Sequence, residues 1–162
     1  MSAARAALVL SIVALAFGAG AFFEERSAAP PAAKPDGPAN EPASYAPGLG
    51  EIMTAIQMRH AKLGIAGAAG NWELADYELD ELDEGLDDAL TFHPMHKDIR
   101  QPLTELVPTF MKAPIDGMRE AVKANGAEKF NAAFNSLTTG CNSCHQATDF
   151  GFNVVTRPTS AP

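Results

Sequence analysis

Two cysteines and a histidine stand together as Cys141-Asn142-Ser143-Cys144-His145, and the chain has no other cysteine. Thiols three residues apart on a helix share one face. There they reach the two vinyl groups along one edge of a haem, and the adjacent imidazole turns to the iron as proximal axial ligand. The expected cofactor is therefore one covalent haem c, with thioethers at Cys141 and Cys144 and iron ligation by His145. Two other chemistries use the same residues: a thiol–disulfide redox pair, and a metal site built from two thiols and an imidazole. The redox pair wants its first cysteine at a helix N-terminus, where the dipole lowers the thiol pKa. Two cysteines supply neither a disulfide framework nor a four-cysteine zinc site.

The elements that must position this motif read as four helices. The first carries Ile52, Ile56, Arg59 and Leu63 on one stripe, with Met53, Gln57 and His60 beside it, and glycines at 64, 67 and 70 are expected to end it. The second starts at the N-cap Asn71 and repeats Trp72, Ala75, Leu79, Leu82, Leu86 and Leu90 on one face until Pro94 stops it. Its other face is wholly acidic: Glu73, Asp76, Glu78, Asp80, Glu81, Asp83, Glu84, Asp87 and Asp88. The third begins with Pro102 in its first turn and runs to Asn125–Gly126, with Pro108 and Pro114 expected to kink or divide it. The fourth places Phe130, Ala133, Phe134, Leu137, Cys141 and Cys144 on a helical period, so the motif falls near its C-terminal end. Only Phe150–Thr156 has any strand-like alternation. The fold class is all-α, an antiparallel four-helix bundle over residues 48–157, followed by a tail at 158–162.

Ahead of the bundle, Arg5 precedes an uncharged stretch from Ala6 to Phe23, which Glu24, Glu25 and Arg26 close. Residues 1–23 read as a secretory signal, with Ala19 and Ala21 as a cleavage pattern, or as a retained membrane anchor through residues 6–23. Either puts the bundle in the periplasm, soluble or tethered to the inner membrane. Residues 24–47 form a Pro/Ala-rich linker, with six of the twelve prolines of the chain in its last part. The net charge of −8 argues against nucleic acid, which needs a basic surface, and suits a basic redox protein as partner.

In an up-down bundle, the end of the fourth helix lies beside the start of the first, and the second-to-third connection shares that pole. Met53 and His60 are the candidates there to face the iron, with Met58 on another face of its helix. Arg59 is a candidate contact for a haem propionate, or else a surface residue. His93, Met95 and His96 form a second cluster at that pole, either an exposed loop or a ligand set for haem or copper. Trp72 and Tyr77 suit the core better than an electron relay, and Phe150, Phe152, Val154 and Val155 either cover a haem edge or close the bundle.

With its late Cys141-Asn-Ser-Cys144-His145 and this helix order, the chain resembles the class II, cytochrome c′-like c-type cytochromes over about residues 48–150. Where such proteins often carry an aromatic residue and an arginine after the motif, this chain has Thr148 and Asp149. The resemblance implies a methionine sixth ligand from the first helix, hence Met53, or an apolar pocket with no sixth ligand; His60, two turns along the same side, is the alternative by its own position. It also implies that a homodimer is open to the bundle. The function expected is a mono-haem, one-electron carrier. The alternative is a five-coordinate haem protein that binds nitric oxide or carbon monoxide, and behind it stand a thiol–disulfide protein and a copper-binding protein. No catalytic acid–base pair or nucleophile stands out, so no hydrolase or transferase activity is expected.

Overall fold

The structure, a computed structural model, describes residues 45–159. The expected signal or anchor over residues 1–23, the linker as far as residue 44 and the last three residues of the tail lie outside the described residues. Four helices make up the fold: α1 (Leu49–Ala68), α2 (Trp72–Phe92), α3 (Leu103–Lys123) and α4 (Ala127–Ala147). Among the described residues there is no strand, and no helix is long and apolar enough to cross a membrane.

Short connections make each helix antiparallel to the next. Residue pairs follow suit: Arg59 of α1 meets Glu78 and Glu81 of α2, and Arg119 of α3 meets Asp80 and Asp83 of α2. The core is a column of apolar side chains, with Leu63, Leu79, Leu82, Met118, Phe130, Phe134 and Leu137 at its centre. Contacts are densest between α1 and α2 and between α3 and α4, and fewer between α1 and α4.

Local chemistry explains the boundaries. Glu51 accepts the Gly48 N–H at 3.0 Å and the Tyr45 hydroxyl at 2.9 Å, fixing the start of α1. Asn71 Oδ1 accepts the Leu74 N–H at 3.2 Å and caps α2 as its sequence suggests. Between them, only Gly70 takes a left-handed backbone, at φ +70°.

Three expectations need correction. Gly64 and Gly67 do not end α1; they lie inside it, where a Cβ would come within 2.6 Å of the Phe134 ring and 2.0 Å of the Phe130 ring. Glycine is there for close helix approach, which local sequence cannot reveal. Pro108 and Pro114 do not divide α3, which is helical throughout, and Pro102 is its N-cap rather than its first helical residue. The missing Pro114 N–H frees the Phe110 carbonyl, which lies 2.7 Å from where a Gly140 Cβ would stand. So α3 and α4 touch backbone to backbone just before Cys141.

The acidic face of α2 is the third correction. Glu78 is fully buried between α1 and α2. Arg59 Nη1 reaches its Oε2 at 3.3 Å, and its Oε1 is ion-paired with Lys62 Nζ, though not along a hydrogen-bond direction. Arg59 also holds Glu81 at 2.7 Å, and Arg119 takes up Asp80 and Asp83. Cations from both neighbouring helices thus neutralise one edge of the face. Glu73, Asp76, Glu84, Asp87 and Asp88 stay exposed.

Candidate functional site

Along the seam between α1 and α4, the two helices touch closely at one end. There Gly64 and Gly67 receive Phe134 and Phe130, and His60 Nε2 lies 2.8 Å from Thr138 Oγ1. Toward the other end a cleft of about 240 Å³ opens, lined by Met53, Cys144, His145, Phe150, Ile99 and Leu103, with His96 on its wall. A smaller cavity of about 30 Å³ adjoins it and brings Cys141 and His60 to the same His145 and Met53. Each thiol therefore borders one of two neighbouring cavities, and His145 and Met53 border both.

The cysteines are half-buried and free. Burial, then the neighbouring Cys144, pushes the Cys141 thiol up to about 11, and burial also raises that of Cys144. Both thiols are protonated near neutral pH, the reverse of what a thiol–disulfide nucleophile needs. Their place in the last two turns of α4 works in the same direction, because a helix C-terminus disfavours an anion.

His145 has a defined ring orientation. Its Nδ1 lies 2.6 Å from the Asn153 carbonyl, so Nδ1 carries the hydrogen and donates it. Nε2 is left with its lone pair. The tail that supplies this carbonyl is not a strand. It runs back along α4, and Asn142 clasps it, its side chain donating to Val155 O and accepting Val155 N–H, each at 2.8 Å. Further on, the Arg157 guanidinium lies 4.6 Å from the centroid of the Phe134 ring and bonds Asn131 and Asn135. Asn142→Ala should therefore cost about 2 kcal/mol, because Val155 loses partners for both backbone groups. Limited proteolysis should then cut between residues 150 and 157 faster than in the parent chain; equal rates would show that the clasp does not hold the tail.

The other sequence candidates divide. Met53 is half-buried and borders both cavities. His60 is 1% exposed, lies against the Phe134 ring at 4.5 Å and borders only the smaller cavity. Thr138 already gives its hydroxyl hydrogen to the Phe134 carbonyl, so His60 Nε2 must donate to Thr138. Arg59 is away from the cleft, in the α1–α2 seam with Glu78 and Glu81. Met58 and Tyr77 are exposed, Trp72 packs edge-on against Phe130, and Val155 is buried. Of the loop cluster, Met95 is exposed, while the rings of His93 and His96 lie 6.1 Å apart. His93 Nε2 donates to the Pro47 carbonyl at 2.8 Å, tying the loop to the start of α1. Among the described residues, no group of three His, Cys, Asp or Glu side chains comes together to hold a metal ion. The sequence places the His93–His96 cluster at this pole, and of its three members only His96 lines the cleft.

Comparisons with protein-family models, with curated proteins and with solved structures give no match to this chain.

Proposed function

We propose that this chain is a mono-haem c-type cytochrome of the class II type, a periplasmic one-electron carrier rather than an enzyme. The observation that carries the reading is His145. Its Nδ1–H is engaged by the Asn153 carbonyl, which leaves Nε2 as the nitrogen for iron, and His145 borders both the cavity at Cys144 and the one at Cys141. The donor set suits the group: two uncharged thiols on one helix face, an imidazole of fixed tautomer, and apolar walls from Leu49, Ile99, Leu103 and Phe150. The cleft is somewhat below the roughly 300–1,000 Å³ of ordinary ligand pockets. A porphyrin seated there keeps one edge outside or spreads α1 from α4, which are less closely packed than α1 on α2 or α3 on α4.

When bound, the haem supplies the ferric–ferrous couple. The protein supplies the rest. Cys141 and Cys144 anchor the group along one edge, and Asn153 holds the His145 ring so that it need not reorient between oxidation states. The aliphatic walls exclude water, and a drier site with methionine ligation holds a higher potential. The exposed carboxylates of α2 form a surface to which a basic redox partner is steered.

The test is expression in a host that matures c-type cytochromes. After denaturation, the chain should retain haem by mass and give a pyridine haemochrome spectrum of the two-thioether type. A Cys141→Ala, Cys144→Ala double variant should retain none. A folded, unmodified parent chain without visible absorbance would overturn the reading.

Met53 is the sixth ligand in this proposal, because it borders both the cleft beside Cys144 and the smaller cavity beside Cys141 while His60 is committed to Thr138. Met53→Ala should convert a low-spin visible spectrum to a high-spin one that takes up carbon monoxide when reduced. A parent protein that already behaves so would instead be the five-coordinate gas binder, and Met53 would be packing alone.

A further inference from the structure

Granted the haem reading above, we propose that His96, and not Arg59, is the residue that receives a haem propionate. The propionate edge of a haem lies opposite its vinyl edge. A group that binds it must therefore stand across the cleft from the two thiols. Arg59 does not: its guanidinium is divided between Glu78 and Glu81 in another seam. Of the side chains lining the cleft, only His96 and His145 have a ring nitrogen to offer, and His145 has given its Nδ1 hydrogen to Asn153.

The neutral donors on the walls are less well placed or already used. Thr54 donates to the Gly50 carbonyl at 2.7 Å, and Thr148 to the Cys144 carbonyl at 3.0 Å. Gln57 and Asn153 border the smaller cavity as well, beside Cys141 at the thiol edge. His96, like Cys144, borders only the larger cavity, but it stands on neither α1 nor α4. It comes from the α2–α3 loop, with Ile99 and the first turn of α3 next to it on the wall. Its Nδ1 accepts the Asp98 backbone N–H at 3.3 Å, which assigns the ring hydrogen to Nε2. The loop thus holds one imidazole nitrogen by the backbone, with the Asp98 carboxylate 3.9 Å from that same nitrogen, and leaves the ring hydrogen on the other. That is the arrangement a carboxylate needs.

The experiment uses the haem-loaded chain and reads the propionate bending mode by resonance Raman spectroscopy. His96→Phe and the smaller His96→Ala both remove the donor, and both should shift the mode to lower frequency. His96→Gln keeps an N–H near the position of Nε2 and should hold the mode at the parent value. Arg59→Gln should leave it unmoved. The midpoint potential of the donor-less variants should fall, because an uncompensated carboxylate favours ferric iron. Matched helical circular dichroism confirms that like is compared with like. An unmoved mode in both donor-less variants overturns the assignment, as does a shift produced by Arg59→Gln. A parent chain that forms no thioether haem overturns the haem reading and this inference with it. The haemochrome spectrum registers that outcome before any variant is compared.

Discussion

Gly67→Ala is expected to destabilise the bundle by about 3 kcal/mol, although alanine is the better helix former by roughly 1 kcal/mol. The new methyl would stand 2.0 to 2.4 Å from three atoms of the Phe130 ring. That ring is only 1% exposed, with Trp72 packed edge-on at 5.7 Å and Phe134 stacked at 5.9 Å, so it has nowhere to go. Either α1 and α4 separate or the aromatic stack breaks. Gly117→Ala in α3 is the matched control, for its Cβ would meet nothing within 4 Å. It should stabilise by about 0.5–1 kcal/mol. Urea unfolding of the two variants should thus move the midpoint in opposite directions. A Gly67→Ala midpoint at or above that of the parent would mean that the close approach does not constrain the helices.

Acid should weaken the fold through His60. Burial, and secondarily the charge of Arg157, lower its pKa from 6.5 to about 4. A base lowered in this way takes up its proton first in the unfolded chain. Stability is therefore complete above pH 6.5 and is lost progressively as the pH falls toward 4. At about 1.4 kcal/mol for each pH unit in which only the unfolded state is protonated, the loss is about 3 kcal/mol. His60→Gln retains a donor for Thr138 and cannot protonate. Its stability should decline less between pH 7 and pH 4, by about that amount, in urea titrations run at both values. Parallel declines in parent and variant would show that the acid sensitivity lies elsewhere.

Much of the framework was legible in the residues because it is written locally. Asn71 caps α2 through its own side chain, the Leu79–Leu82–Leu86 face repeats at helical spacing, and Cys141 and Cys144 continue the period of Phe130, Phe134 and Leu137. What was not legible depends on partners distant in sequence. Gly64 and Gly67 read as helix terminators because nothing near them announces Phe134 and Phe130, some seventy residues later. Glu78 read as one more carboxylate of the acidic face because Arg59 and Lys62 come from another helix. The tail read as a weak strand because alternation alone cannot tell sheet pairing from a clasp by a single asparagine. In the candidate site, the thiols and His145 were evident from their spacing. The exchange of Arg59 for His96 on the cleft wall was not, because it depends on where a loop without helical period folds back.

The hydrogen bond from His145 to the Asn153 carbonyl has a temporal meaning. The carbonyl that orients the ring lies eight residues downstream, beyond the end of α4, and α1 on the facing wall is made long before either. During synthesis the first half of the groove therefore waits, exposed, for the second. The histidine emerges before the group that aims it, and only a chain released through Val155 can close the clasp. The aimed histidine is therefore a property of a chain made at least through Val155, and α4 alone does not supply it.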